Sequence, residues 1–268
     1  METQQIAISY RYTDVWNNSL KQISDTLKII SCLFYALENY DHKEFIPLQM
    51  DSVPIIIGGI ENEEENDLVS KDVVLSWVYK KAFEEYIVGL TESLIAAYEL
   101  LELAQLANDT RLNPIERELI DETVNKIYAR ARKLHFPALI EEIEKKIGTE
   151  LMFKKEILSI NSIRNCLVHR NGIVSAKDFN NSERLTLFYH DLVTYIGTSN
   201  GIKERLTIEF KNSGAPINTI AIQSAIEELS FEVGARIQFQ ANIFNGLACT
   251  CFQFIEDLYQ HCPGSSMG

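Results

Sequence analysis

The sequence lacks the features that mark membrane, secreted and metal-stapled proteins. It has no run of eighteen or more apolar residues, and Met1 to Gln5 carry neither the basic nor the apolar region of a secretory signal. The five cysteines are an odd set without a Cys-x-x-Cys pair, so neither a disulfide framework nor a zinc knuckle is predicted. We therefore expect a cytoplasmic protein whose cysteines are reduced thiols.

Basic charge and phosphate-binding loops are also scarce. The formal net charge of −13 opposes nonspecific binding to nucleic acid, whose affinity comes largely from neutralising phosphates. A glycine-rich phosphate loop is missing, which argues against an ATPase or a kinase. The acidic run at 61–67 does not have the spacing of an EF-hand loop. We predict neither a metal site nor a cofactor.

What the chain does have is ordinary globular composition, with 46% hydrophobic and 24% charged residues. Its 268 residues suit one domain with an inserted piece, because two domains would need more chain. We expect a single domain over residues 1–262 and a disordered tail over 263–268. An acidic loop is expected at 45–69, where proline and glycine break regular structure and clustered charge stays in water.

Apolar residues recur in steps of three and four over most of the chain, which is the spacing of amphipathic helices. In the second predicted helix the apolar pattern includes Val73 and Trp77. Pro137 stands at a first helical position, and Gly172 stands where a helix needs a left-handed C-cap residue. The predicted helices cover residues 14–40, 70–107, 113–133, 137–148, 150–171 and 224–261.

One region departs from the helical pattern. Leu206, Ile208 and Phe210 alternate with polar residues as in a half-buried strand, and Asn200-Gly201 is a turn signal just before them. The stretch 185–196 fits either a strand or a helix. We favour a β-hairpin, so the predicted fold is a mainly α-helical bundle with a small β-hairpin insertion near residues 184–211, within a segment at 180–215.

The segment with the most chemistry is the helix that carries Arg164, Asn165 and His169. On a helical wheel with Ile160 at zero, Arg164 falls at about 40°, inside the apolar face, while Asn165 and His169 lie at about 140° and 180° on a polar stripe. A buried guanidinium keeps its proton and needs an anion or acceptors. Asn161, at about 100°, belongs to the same stripe.

The charge around this helix has the opposite sign to the rest of the chain. Seven basic and two acidic residues lie between Lys145 and Lys177, giving a local charge of +5. Such a field is compatible with a phosphate-bearing ligand, although basic residues on helix faces are commonly just solvated. The candidate substrate-binding residues are Lys154, Lys155, Asn161 and Arg170.

Imidazole and guanidinium together can transfer a phosphoryl group from a ribose-linked phosphodiester. Histidine, with an unperturbed pKa of about 6.5, exchanges protons at neutral pH, and arginine is a fixed clamp for phosphate. Arg164 and His169 are about 140° apart on the wheel, so one subunit does not aim both at one atom. A site shared by two copies across a two-fold axis is the more natural arrangement.

The run from Ser162 to Val174, Ser-Ile-Arg-Asn-Cys-Leu-Val-His-Arg-Asn-Gly-Ile-Val, resembles the signature of the HEPN superfamily. The resemblance implies a helical core, a homodimer that joins two motifs, and metal-independent endoribonuclease activity without a cofactor. Arg164 and His169 would be catalytic and Asn165 would support them. It also implies an RNA substrate, a role as a toxin or in phage defence, and an antitoxin or other regulatory protein as partner.

The resemblance has limits. Some members carry a tyrosine two residues after the histidine, where a nucleotidyltransferase modifies them; this chain has Asn171 there, so that control is not implied. Other members bind without cutting, which leaves a non-catalytic module for a nucleotide, RNA or protein as an alternative. In a purely structural interpretation, Arg164 pairs with an internal carboxylate and protonated His169 favours the helix dipole.

Three other sets of residues carry weaker signals. His135, before Phe136-Pro137, is interpreted as a cap or core residue. His190-Asp191 is a polar pair with no nucleophile near it in the sequence. Cys249 and Cys251 lie on different faces of a helix and are interpreted as small hydrophobic residues.

Overall fold

The fold is mainly α-helical, with a small antiparallel sheet. A computed structural model describes residues 13–38, 71–112, 117–178, 184–197, 203–205, 219–240 and 242–264. Its helices are α1 (Thr13–Glu38), α2 (Lys71–Leu112), α3 (Arg117–Ala131), α4 (Phe136–Ile147), α5 (Lys154–Arg170) and α6 (Ile243–Gln260). Its strands are β1 (Leu185–Gly197), β2 (Lys203–Arg205) and β3 (Thr219–Phe231).

The 42-residue helix α2 is the spine of the bundle. It contacts each of the other five described helices, so it buries side chains on several sides rather than along one stripe. At one end, the rings of Tyr79 and Phe83 pack on Phe239 and Phe244 from the end of the chain. The hydroxyl of Tyr79 donates to the carbonyl oxygen of Phe239 at 2.7 Å, which satisfies a buried polar group.

Two residues of the predicted apolar pattern in α2 lie at the surface. Val73 and Trp77 are 58% and 60% exposed, so the expectation that they follow the buried pattern is wrong. Trp77 lines a groove of about 650 Å³ whose walls are formed by α1 and α2. Further along, Ser19 and Ser93 bond to each other, which allows the two backbones to approach closely.

Local sequence signals set the bounds of α4 as predicted. Pro137 lies in its first turn, where the missing N–H costs nothing. Gly148 closes the helix with φ 74°, a left-handed conformation that favours glycine, and its N–H donates to Glu144 O at 2.9 Å. His135 occupies the N-cap position, but its side chain is exposed and makes no capping hydrogen bond, so it is not a core residue and caps the helix by position alone.

The sheet has the order β2-β1-β3, with both pairings antiparallel. The predicted hairpin is present as β1 and β2, with Tyr195 opposite Arg205. The longer partner of β1 is β3, paired along its whole length from Leu185–Phe231 to Gly197–Thr219. The sheet packs on α5 and α6 through β1.

The predicted helix over 224–261 is wrong in its first half. Residues 224–231 belong to β3, and the final helix, α6, begins only at Ile243. Leu229 and Phe231 alone do not decide between the period of a helix and that of a strand. The exposure of the side chains alternates from Ser224 to Ser230, as in a strand. Pairing with β1, which is distant in sequence, decides between them.

Several predicted features lie outside the described residues. These are the acidic loop at 45–69, the alternating stretch 206–210 and the end of the tail at 265–268. In the part of the chain that is described, no helix combines the length and the apolar character that crossing a bilayer requires.

Candidate functional site

Helix α5 carries the predicted site, and left-handed residues define both of its ends. Phe153 precedes it with φ 61°, and Asn171 and Gly172 follow it with φ 51° and 72°. The N–H of Gly172 donates to Cys166 O at 3.2 Å, which closes the last turn. The prediction that Gly172 adopts a left-handed conformation at this end is confirmed, and Asn171 shares it.

Arg164 lies between the core and the surface of α5. Its Nη1 donates to Oδ1 of Asn165 at 3.0 Å. Its Nε is shielded from solvent and has no hydrogen-bond partner. The structural interpretation requires an ion pair between Arg164 and a carboxylate. Over the described ranges, Arg164 forms no such pair. A cation with an unsatisfied buried donor costs free energy unless an acceptor reaches it.

His169 lies one turn further along α5 than Asn165, and its side chain is exposed. Asn161 and Asn165 are half-buried on the same helix. The buried side chains of Ile160, Ile163 and Leu167 form the inner side of α5. The imidazole of His169 is therefore accessible to a ligand in solution, while the side chain of Arg164 is only half-buried.

Arg170, which is predicted to bind substrate, forms an ion pair within the protein. Its guanidinium forms a two-pronged ion pair with the buried carboxylate of Asp178: Nε donates to Oδ2 at 2.8 Å, and Nη2 contacts Oδ1. Asp178 also accepts the backbone N–H of Ser175 at 2.8 Å and its hydroxyl at 3.0 Å. The ion pair closes the turn after α5, so Arg170 stabilises the end of this helix.

The two lysines near the start of α5 are also engaged. Lys154 Nζ lies 2.7 Å from Glu144 Oε2 and 3.6 Å from Glu150 Oε1. The hydrogen bond to Glu144 raises the pKa of Lys154 above its ordinary value, so the amine is charged but occupied. Lys155 is exposed, with Nζ 3.5 Å from the centre of the Phe188 ring.

A basic residue that sequence reasoning missed lies beside the motif. Ile173 forms a β-bridge with Arg236, whose Nη1 donates to Asn171 O at 3.4 Å. Three backbone hydrogen bonds tie the segments together: Val174 N to Ala235 O at 2.9 Å, Gly234 N to Val174 O at 2.8 Å and Ile237 N to Gly172 O at 2.8 Å. Because Arg236 is 65 residues from Asn171 in the chain, no local pattern could have revealed it.

No family model, curated protein or solved structure matches this chain. The interpretation of the site therefore depends on its own chemistry.

Thiol and metal chemistry find little support near α5. Burial raises the pKa of the Cys166 thiol, so the cysteine inside the motif is a poor nucleophile. All five cysteines are free, as predicted, and burial raises the pKa of Cys262 to about 12. Within the described ranges, no three histidine, cysteine, aspartate or glutamate side chains are grouped in a way that could hold a metal ion.

Proposed function

We propose that this protein is an HEPN-type endoribonuclease that works without a metal as a homodimer in the cytoplasm. His169 is the general acid or base, Arg164 is the phosphate clamp, and Asn165 orients the guanidinium. The observation that carries the proposal is the state of Arg164: a guanidinium with a shielded Nε that has no partner, held by an amide rather than neutralised by a carboxylate.

In the proposed reaction, the 2′-hydroxyl of a ribose attacks the adjacent phosphorus and the 5′-oxygen of the next nucleotide leaves. The imidazole of one copy accepts the hydroxyl proton and returns a proton to the leaving oxygen through water, while the guanidinium comes from the other copy. The guanidinium neutralises charge that develops on the non-bridging oxygens. The exposure of His169 supports this role, because a proton shuttle must reach the substrate.

The wheel geometry favours a shared site. Arg164 and His169 lie about 140° apart around α5, so residues from two copies meet one phosphate more easily than residues from one copy. A toxin or phage-defence role, with an antitoxin or similar protein as a restraint, belongs to the same proposal.

A second candidate is a non-catalytic module that binds a nucleotide, RNA or protein partner. Lys154 and Arg170 form ion pairs with Glu144 and Asp178. These pairs offset the two positive charges, which weakens the basic surface that a long RNA would follow. This observation favours a ligand with few phosphates.

Cleavage of a mixed pool of RNAs in the presence of EDTA tests the proposal. The wild-type protein is expected to cut, while His169→Ala and Arg164→Ala are expected to lose about 100-fold or more in rate. His135→Ala, which changes an exposed histidine on another helix, is the matched control. Equal cleavage by wild type and His169→Ala would refute the assignment, and intact RNA with retained binding would establish the second candidate.

The dimer has its own test in light scattering and in mixing. An equimolar mixture of Arg164→Ala and His169→Ala subunits is expected to recover part of the activity if each heterodimer reassembles one intact site. A monomer at high concentration, or no recovery on mixing, would argue against the shared site.

A further inference from the structure

A second cluster of reactive side chains lies where the start of α5 meets the sheet. Nδ1 of His190, on β1, lies 2.9 Å from Oγ of Ser224 on β3. Nε2 of the same imidazole lies 3.5 Å from Oε1 of Glu156 in the first turn of α5. The side chains of Glu156 and His190 are 10% and 13% exposed, and Ser224 is exposed. The three form a series from a buried acid, through an imidazole, to a surface hydroxyl.

The positions of the acid and the hydroxyl favour one tautomer of His190. A carboxylate near Nε2 favours a proton on that nitrogen, which leaves the lone pair of Nδ1 free to accept the hydroxyl hydrogen of Ser224. A nucleophile in hydrogen-bond reach of a base, with the base oriented by a third group, is the arrangement that activates a serine. The order along the series is the one that this activation needs.

Neighbouring residues hold both the backbone and the ring of His190 in place. The backbone N–H of His190 donates to Thr250 Oγ1 at 2.7 Å, and that hydroxyl donates to Gly246 O at 2.8 Å on α6. The ring of Phe153 packs edge-on against the imidazole, with ring centroids 4.8 Å apart. Contacts from α6 and from Phe153 therefore limit the movement of the base, which favours a preorganised site.

We propose that Ser224 is the nucleophile of a second active site, which hydrolyses small uncharged carboxylic esters. Ser224 Oγ attacks the carbonyl carbon while its proton passes to His190 Nδ1. The ester C–O bond then breaks, and the leaving alcohol takes that proton. Water, deprotonated by the same nitrogen, attacks the acyl-serine; the carboxylic acid leaves and Oγ regains a proton. Glu156 stabilises the imidazolium in both halves.

The charge around Ser224 selects the substrate class. Glu228 lies on the same face of β3 as Ser224, whereas Glu227 lies on the other face, and Glu156 lies behind the imidazole. Glu156 and Glu228 repel anionic substrates and Lys155, over the Phe188 ring, is a nearby cation, so the site has no net charge preference and a neutral ester is favoured. The site shares helix α5 with Arg164 and His169 but none of their side chains, so each proposal can fail without the other.

Strand β3 offers a matched control for the nucleophile. Ser230 is exposed on the same strand, six residues away and on the same face, but its hydroxyl bonds to Thr186 Oγ1 at 2.8 Å rather than to an imidazole. Both serines therefore have a hydrogen-bonded hydroxyl at the surface, and only one has a base.

The experiment uses p-nitrophenyl acetate with the full-length protein, following release of p-nitrophenolate and mapping the acetylated residue by mass spectrometry. Ser224→Ala and His190→Gln are expected to lower the rate by about 100-fold, while Ser230→Ala leaves it unchanged. Glu156→Gln is expected to lower it less, because 3.5 Å is longer than a normal hydrogen bond. The acetyl group should be found on Ser224 in the wild type.

Two results would overturn the proposal. One is ester hydrolysis at the wild-type rate by a folded Ser224→Ala protein, and the other is acetylation confined to lysines or to Ser230. Either result would mean that the Ser224–His190 contact only joins the strands. Circular dichroism of each variant shows that a lost rate does not come from unfolding.

Discussion

The guanidinium of Arg164 is held by its neighbour Asn165, whose Oδ1 accepts a hydrogen bond from Nη1 at 3.0 Å. Successive residues of a helix point about 100° apart, so this contact draws the charged end of Arg164 from the apolar face toward the polar stripe. Asn165 therefore sets the direction in which the cation can meet an anion.

Asn165→Ala should reduce RNA cleavage by about 10- to 100-fold with little change in melting temperature, because the guanidinium loses its direction but remains. Asn165→Asp should reduce it further, since a carboxylate would neutralise Arg164. Steady-state cleavage rates test both variants. Asn125→Ala, at an exposed asparagine of α3, is the control, and equal losses for Asn125 and Asn165 would contradict the orienting role.

Arg236→Gln should weaken RNA binding and reduce the slope of log Kd against log salt by about 1, as expected for the loss of one phosphate contact. The guanidinium lies at the backbone oxygen of Asn171, two residues after His169, and the proposed function puts a flanking phosphate at this end of α5. Fluorescence anisotropy over a range of salt measures the slope. Arg184→Gln, which breaks an exposed ion pair with Glu232, should leave the slope unchanged; a similar fall there would point to a general charge effect.

Asp178→Ala should lower the free energy of unfolding by about 3 kcal/mol, because it leaves the guanidinium of Arg170 without its buried partner. Denaturant unfolding measures this loss. The double variant Arg170→Met/Asp178→Ala should recover part of it, since no unpaired charge remains. If Asp178→Ala is as stable as the wild type, the ion pair between Arg170 and Asp178 does not stabilise the end of α5.

Gly172→Ala and Gly148→Ala separate backbone strain from crowding. Both glycines have positive φ, which should cost an alanine about 1–2 kcal/mol at either position. At Gly148 an added Cβ meets nothing within 4 Å, whereas at Gly172 it lies 3.3 Å from Leu167 Cδ2. Thermal unfolding should therefore show the larger loss for Gly172→Ala, and the reverse order would contradict the packing at the end of α5.

The contact between α1 and α2 should weaken in acid through Glu85. Hydrogen bonds from Lys81 and from Gln22 hold the pKa of this carboxylate below its ordinary value of 4.5. Because the folded pKa is the lower one, the stabilisation is present above pH 4.5 and is lost as the pH falls through the folded value. Glu85→Gln should thus destabilise the protein at neutral pH but not in strong acid, as measured by urea unfolding.

Local signals predicted much of the bundle. Pro137 and Gly148 bounded α4 because their conformational preferences act on single residues. The period of three to four identified α2 and α5, but it could not say that Trp77 would line an open groove, because exposure depends on how α1 packs against α2. The second half of the sheet was missed for the same reason: 219–231 becomes a strand through pairing with β1.

The site shows the same division. The sequence predicted Arg164, Asn165 and His169 on one helix and Gly172 at its end. It could not predict that Arg170 would be occupied by Asp178, nor that Arg236 and Ser224 would arrive beside α5 and His190 from distant segments. Contacts between residues far apart in sequence leave no periodic trace in either segment.

The ladder between residues 172–174 and 234–237 joins the end of α5 to a stretch made more than sixty residues later. During translation, His169 leaves the ribosome well before the segment that fixes its helix end has been synthesised. A growing chain therefore carries the motif before the backbone bonds at the end of α5 can form. Under the function proposed above, cleavage of RNA would begin only after residues 234–237 have emerged.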